Sequence, residues 1–198
     1  MTNKVLIIGA GGLAKQCLST LREKTNYIFT FYDSVSENPN DFGHSSTSIL
    51  DPSLYEYYAV CLGSPEYREF FSMALNSLIP FPIISDKSIR HNFATQGKGC
   101  IVLENTLIEP YSIIGNQVLL NHGAKVFHDV EIGDYCEIMP GATLLGGCKI
   151  GKRCRIGANA TILPNVIIGD NVVVGAGAVV TKDISSNRTV VGIPAKDI

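Results

Sequence analysis

Two adjacent residues, His128 and Asp129, in the run Val126-Phe-His-Asp-Val-Glu131, have the types and spacing for proton transfer. An imidazole held by a carboxylate has its tautomer fixed and makes a better general base near neutral pH. His122 is a second candidate, six residues earlier, and Asn121 precedes it at a position from which its amide can reach the same face. The six cysteines are Cys17, Cys61, Cys100, Cys136, Cys148 and Cys154. They read as free packing residues rather than as disulfides or metal ligands, which agrees with a reducing cytoplasm.

These residues must be positioned by the stretch from Val102 to Ile184. Taken in sixes, its first residue is always a branched aliphatic: Val102, Ile108, Ile114, Leu120, Val126 and so on to Val180. The fifth residue, from Thr106 to Ala178, is always small or Val-sized, and Gly follows the aliphatic at Gly115, Gly133, Gly151, Gly157, Gly169 and Gly175. A helix has a period of 3.6 and a flat strand a period of two, so a period of six marks a hexapeptide β-helix. Each six is a short strand and a bend. The aliphatic points into a triangular prism, and glycine is expected to supply backbone freedom at corners. Three sixes make one coil, so residues 18 apart stack. His128 and Asp129 fall at the third and fourth positions of a six, on or near a corner, where both side chains can leave the core.

The first 85 residues read differently. Strands are expected at Lys4–Ile8, Tyr27–Tyr32, Tyr58–Leu62 and Phe81–Ile84. Helices are expected from Lys15 to Lys24 and from about Glu66 to Leu78, the latter with Ser64 as N-cap and Pro65 at its first position. Gly9-Ala10-Gly11-Gly12-Leu13-Ala14 lies between a strand and a helix, which suits an anion, and Asp33 ends the second strand where a ribose-binding acid belongs. The unit is half of a full dinucleotide fold and more naturally holds one nucleotide. Three strand ends, at Gly9, Asp33 and Gly63, converge on the carboxyl edge of the sheet. Residues 34–53 read as a polar loop.

The expected organisation is therefore an α/β N-terminal Rossmann-like half-domain over residues 1–85, a linker over 86–99, and an all-β left-handed parallel β-helix with a C-terminal cap over 100–198. A net charge of −2 implies no global field for nucleic acid or a membrane. No apolar run approaches a membrane span, and no signal peptide is expected, so the expected location is cytoplasmic. Charge is uneven along the repeat. Acids dominate from Cys100 to Leu145 and bases from Gly146 onward. The basic part reads equally as a site for a polyanion or as a solvated face.

The hexads, His128-Asp129-Val-Glu-Ile-Gly133 and the tail Val191-Gly-Ile-Pro-Ala-Lys196 resemble the hexapeptide-repeat acyltransferases. With Ile8-Gly-Ala-Gly-Gly-Leu-Ala14, the whole chain resembles the group of sialic-acid O-acetyltransferases and nucleotide-amino-sugar N-acetyltransferases. The resemblance implies a homotrimer with acetyl-coenzyme A (acetyl-CoA) along the cleft between neighbouring prisms, and no metal. It implies His128 as general base supported by Asp129, and Asn121 as a sugar contact. It implies Gly11, Gly12 and Leu13 as contacts to the nucleotide sugar, Asp33 at its base or ribose end, and Gly63 in the same pocket. It implies backbone contacts to acetyl-CoA at Gly146, Ala158 and Ala176. Glu137 stands where the family often has a second histidine that helps hold the acetyl group. Asp33-Ser34 stands where it often has two acids.

The implied reaction is acetyl transfer to the amine of a UDP- or dTDP-linked 4-amino sugar, with sugar O-acetylation, as on sialic acid, as the nearest alternative. A zinc hydratase on the same prism needs three histidines, whereas His44 and His91 precede the repeat and leave only His122 and His128. A nicotinamide enzyme would leave the repeat without a role.

Overall fold

The computed structural model describes residues 3–22, 24–33, 45–46 and 51–198. The chain divides into two compact units, Met1–Ile83 and Ile84–Ile198.

The first unit is built on a parallel sheet of β1 (Asn3–Ile8), β2 (Tyr27–Tyr32), β3 (Ser45–Ser46), β4 (Tyr57–Val60) and β5 (Ile79–Pro80), in the order β3-β2-β1-β4-β5. Val5 to Ile8 are buried, as a central strand covered on both faces requires. Helix α1 (Gly12–Arg22) follows β1, and α2 (Pro65–Ala74) follows β4. Ser64 caps α2 by accepting from the Tyr67 N–H, with Pro65 in the first turn, as its sequence predicts. The fourth expected strand is displaced: Ile79–Pro80 pairs with β4, and Ile83–Ile84 joins a sheet of the second unit. The polar loop expected over 34–53 lies outside the described residues apart from β3 and the stretch from Asp51, where a 3-10 turn spans Pro52–Leu54.

The second unit is a three-sided parallel β-solenoid. Its first face stacks Ile101–Val102, Leu119–Leu120, Glu137–Ile138, Arg155–Ile156 and Val173–Val174. The second stacks Ile89–Arg90, Leu107–Ile108, Lys125–Val126, Thr143–Leu144, Thr161–Ile162 and Val179–Val180. The third stacks Thr95–Gln96, Ile113–Ile114, Glu131–Ile132, Lys149–Ile150 and Ile167–Ile168. Every pairing joins residues 18 apart. The first-position aliphatics from Val102 to Val180 are all buried in one continuous core.

Residues 86–99, expected as a linker, already wind as solenoid: Ile89–Arg90 and Thr95–Gln96 pair with the coil above. At the other end, Thr189–Val191 pairs with Val173–Val174 and antiparallel with Lys196–Asp197, which covers a strand edge otherwise open to pairing.

The corners work differently from the expectation. The left-handed backbone falls at the fourth position of each six, unbroken from Phe93 (φ 73°) through Asn105, Asp129 and Asn165 to Gly177 (φ 68°). The glycines at the second position are not left-handed. A Cβ on Gly133 would stand 2.8 Å from the Gly151 backbone, so these glycines serve close approach between coils. At the fifth position, thiols and hydroxyls donate to turn carbonyls: Cys136 Sγ to Gly151 O (2.9 Å), Cys154 Sγ to Gly169 O (3.0 Å) and Thr106 Oγ1 to Leu103 O (2.7 Å). All six cysteines are free and buried, and burial pushes the Cys148 thiol up to about 12.

The charge imbalance resolves into pairs between coils. Lys149 meets Glu131 (2.8 Å), Lys152 meets Asp134 (3.3 Å) and Arg155 meets Glu137 (3.0 Å), each 18 apart.

Gly133→Ala should therefore cost about 1–3 kcal/mol through overpacking against backbone, seen as a melting temperature lower by roughly 3–10 °C. Gly177→Asn keeps a residue type that the fourth position already holds at Asn159, Asn165 and Asn171, with nothing within 4 Å of its Cβ. It should stay within about 0.5 kcal/mol of wild type in the same melts.

Candidate active site

His128 lies on the edge between the second and third faces, after strand Lys125–Val126 and before Glu131–Ile132. Val126 and Ile132 are buried, which pins the turn on both sides. The fourth position forces Asp129 to φ 59°, a conformation that Asp tolerates better than most side chains. From there its Oδ2 stands 2.8 Å from His128 Nδ1, with both side chains 61% exposed. Asp129 can only accept, so in the neutral imidazole this bond favours the proton on Nδ1 and the lone pair on Nε2.

Three further contacts hold the turn. The His128 N–H donates to Glu109 Oε2 (3.1 Å), the Asp129 N–H to Pro110 O (3.3 Å), and the Gly147 N–H to His128 O (3.0 Å). On the next coil, Gly146 occupies the third position directly above His128. A Cβ there would stand 2.5 Å from His128 Cε1 and 2.6 Å from Nε2. The imidazole thus packs over bare backbone. Among the described residues the Gly146 N–H meets no protein acceptor, so it remains available to a ligand.

Asn121 and His122 occupy a different edge, between the first and second faces, because one hexad is a third of a coil. Ala158 and Ala176 share that edge, at the same hexad position as His122. Within one chain, Asn121 therefore shares the edge of His122 and not that of His128. Asn121 is buried, and its Oδ1 accepts from the His122 N–H (2.8 Å). Glu137 lies on the first face, buried and paired with Arg155 Nε.

In the first unit the strand ends converge as expected. Gly9 N–H donates to Tyr32 O and Cys61 N–H to Ile8 O, both at 2.8 Å. Asp33 Oδ2 accepts from the Ala10 N–H at 2.8 Å, so this acid braces the glycine-rich turn. Gly9 carries the steric demand of that turn, with φ 100° and a Cβ position 2.8 Å from Cys61 O. Gly11 and Gly12 are exposed, with nothing within 4 Å of a Cβ. Leu13 is half-buried in the first turn of α1. Gly9 and Asp33 line a cavity of about 280 Å³ together with Ile8, Tyr32, Leu62, Tyr67 and Phe71, whereas Gly11, Gly12, Leu13 and Gly63 are not among its lining residues. Gly63 O and Leu62 O accept from the buried Arg68 guanidinium at 2.7 and 3.1 Å.

Sequence reasoning missed Glu109, Arg68 and the aromatic lining of Tyr32, Tyr67 and Phe71. Glu109 was findable, because it lies one residue off the 18-residue register of His128. Among the described residues there is no group of three or more His, Cys, Asp or Glu side chains placed to hold a metal, and no helix is long and apolar enough to cross a membrane.

The model of the family Bacterial transferase hexapeptide (six repeats) matches residues 111–146, 129–164 and 147–182. GDP-perosamine N-acetyltransferase of Escherichia coli O157:H7 is 30% identical over 152 residues, covering 71% of this chain and 69% of that protein. The chain belongs to the hexapeptide-repeat acetyltransferases, in the group of sialic-acid O-acetyltransferases and nucleotide-amino-sugar N-acetyltransferases. Two solved members of similar shape extend the match along the chain. The acetyltransferase domain of PglB from Neisseria gonorrhoeae FA1090, in complex with acetyl coenzyme A, is 28% identical with a TM-score of 0.91 and covers 100% of both chains. A histidine-to-alanine variant of GDP-perosamine N-acetyltransferase from Caulobacter crescentus, in complex with CoA and GDP-perosamine, is 27% identical with a TM-score of 0.93. That match covers 100% of this chain and 98% of the other. This hexapeptide-repeat acetyltransferase is an acetyl-CoA-dependent sugar N-acetyltransferase, with acetyl-CoA as co-substrate.

The Gly146 contact yields a prediction for this acetyltransferase. Gly146→Ala displaces the imidazole, a mobile side chain, rather than backbone. With the imidazole acting on substrate, as proposed below, turnover should fall roughly 100-fold for a displacement of ~1 Å. The melting temperature should hardly move. Steady-state kinetics beside a thermal melt checks both.

Proposed function

We propose that this enzyme transfers acetyl from acetyl-CoA to the amino group of a nucleotide-linked amino sugar, with His128 as general base. The observation that carries this reading is the imidazole itself, its Nδ1 tied to Asp129 at 2.8 Å and its ring lying over the bare backbone of Gly146. His128 Nε2 accepts the amine proton as nitrogen attacks the thioester carbonyl. The N–C bond forms, the tetrahedral oxyanion rests on the Gly146 N–H, and the C–S bond then breaks. The proton passes from Nε2 to the departing thiolate. No thiol of the protein takes part.

The acceptor's nucleotide belongs in the cavity of the first unit, which we read as a Rossmann-like half-domain. Gly11, Gly12 and Leu13 at the start of α1 offer N–H groups and open space to phosphate. Asp33 and Gly63 border the base or ribose end. UDP and dTDP are the nucleotides expected from sequence, and the GDP-perosamine named for two relatives adds GDP to the set to be tested.

We further propose a homotrimer of left-handed prisms. His128 and Gly146 share one edge, whereas Asn121, Ala158 and Ala176 share another. One ligand meets both sets if the His128 edge of one subunit faces the Ala176 edge of the next. Glu137 enters beside Arg155, which makes the departure from the family histidine intelligible. A lone carboxylate would repel the thioester oxygen, whereas the pair presents guanidinium N–H groups.

His128→Ala should lower turnover by about 10²- to 10⁴-fold and leave acetyl-CoA affinity intact by calorimetry. Turnover at the wild-type rate would remove His128 from the role. Mixed trimers give an independent check on the shared edge. His128→Ala and Ala176→Phe subunits, each inactive alone, should regain activity when co-assembled, since some interfaces then carry both intact edges. Incubation with GDP-, UDP- and dTDP-linked amino sugars and with free sialic acid, read by mass spectrometry for the gain of one acetyl group, identifies the acceptor. Acetylation of sialic acid alone would refute the amine reading.

A further inference from the structure

Two aromatic rings stand out of the edge that carries His128. Phe93 and Tyr111 occupy the fourth hexad position on the two coils before Asp129, in the same column. They are 72% and 61% exposed. Their rings stack with centroids 5.5 Å apart and planes 16° apart. Both backbones are left-handed, with φ 73° and 61°. Bulky side chains rarely adopt this conformation, and the repeat fills most of the other fourth positions with Asn or Gly, which tolerate it, although Gln117, Tyr135 and Arg153 also stand there. Two exposed, stacked aromatics at strained positions give the fold nothing that asparagine would not.

The stacking runs along the column, since successive coils are separated by about one strand spacing, ~4.8 Å. Phe93 covers one face of Tyr111. The other face is turned toward the coil of His128 and Asp129. Glu109 and Pro110, which precede Tyr111, are bonded to the backbone N–H groups of His128 and Asp129. The ring and the base are therefore held by the same turn.

We infer that the free face of Tyr111 is the platform for the pyranose ring of the acceptor, with Phe93 as its backing. This rests on the assignment of His128 as base. An amine within hydrogen-bond reach of Nε2, about 3 Å, puts the centre of the sugar ring bearing it roughly one coil spacing from the imidazole. Tyr111 stands on the adjoining coil, in the column of Asp129. The nucleobase, beyond a diphosphate and a ribose, is too far from the amine to be the ring that rests there. A pyranose with an apolar face of axial C–H groups packs on an aromatic ring, and removal of the ring weakens that contact without touching the base. Tyr111 is thus a positioning residue for the acceptor and selects for sugars with one unhydroxylated face.

The test uses Tyr111→Asn, which keeps a residue suited to the left-handed backbone, with Tyr111→Phe as the conservative variant. Tyr111→Asn should raise KM for the amino-sugar nucleotide about five- to tenfold. KM for acetyl-CoA, the pH profile of kcat and the oligomeric state by sedimentation should be unchanged. Tyr111→Phe should restore the acceptor KM, and Phe93→Asn should give a smaller rise. An unchanged acceptor KM in Tyr111→Asn while His128→Ala is inactive overturns the platform and leaves the base assignment standing. Dissociation of the oligomer in Tyr111→Asn also overturns it, since the rings would then be an interface between copies. Full turnover in His128→Ala removes the base and the platform together.

Discussion

Stacking of residues 18 apart is the constraint on which the rest of this molecule depends. Each coil contributes two residues per face to parallel ladders, and each corner is closed by one left-handed residue at the fourth hexad position. Because that turn repeats without interruption from position 93 to 177, side chains at equal hexad positions form straight columns along each edge. Aliphatics at the first position fill the prism, and small residues at the fifth leave room for the bend. The core thereby fixes where every outward group points, without any of those groups contributing to it.

The His128 site shows what this geometry can do for chemistry. An exposed imidazole on a loop would sample many rotamers. Here its backbone is bonded to Glu109 on the coil below and to Gly147 on the coil above, its Nδ1 to Asp129 beside it, and its ring rests against Gly146. The support comes from three successive coils, each in register because the core is. Support of this sort holds an exposed imidazole in one orientation without burying it in the chain's own core.

Much of this was legible in the residues. The hexad aliphatics specify the solenoid, Ser64-Pro65 the start of α2, and His128-Asp129 the pair that meets at 2.8 Å. The failures have physical causes. Residues 86–99 hid their strands because Arg90 and Gln96 stand where an aliphatic is expected. The terminal coil closes the end of the prism and has no coil before it to pack against. Only Ile84 and the small residues Ser88 and Ala94 kept the pattern. Second-position glycines were assigned to corner flexibility because a sequence does not distinguish a glycine needed for φ from one needed for close approach. The acidic and basic halves looked like separate fields. Yet the 18-residue stacking already places Glu131, Asp134 and Glu137 one coil below Lys149, Lys152 and Arg155, so the pairing was legible once charges were read by coil rather than along the chain.

The same 18-residue arithmetic separates the two halves of the proposed site. Neighbouring hexads belong to neighbouring edges, so Asn121 and His128, seven residues apart in the chain, cannot share an edge of one prism, whereas His128 and Gly146 must. A fold that keeps its core inside each chain and its reactive groups in edge columns has a simple way to gather distant residues around one ligand, which is to set edge against edge between copies. Charges at such edges are then matched coil by coil. Bulk at them is limited to what a neighbour and a ligand leave free, which is consistent with Ala158, Ala176 and Gly146 standing at the third position. In the proposed trimer the exposure of His128 is a property of one chain alone, and the groove that would complete it is made by association rather than by folding.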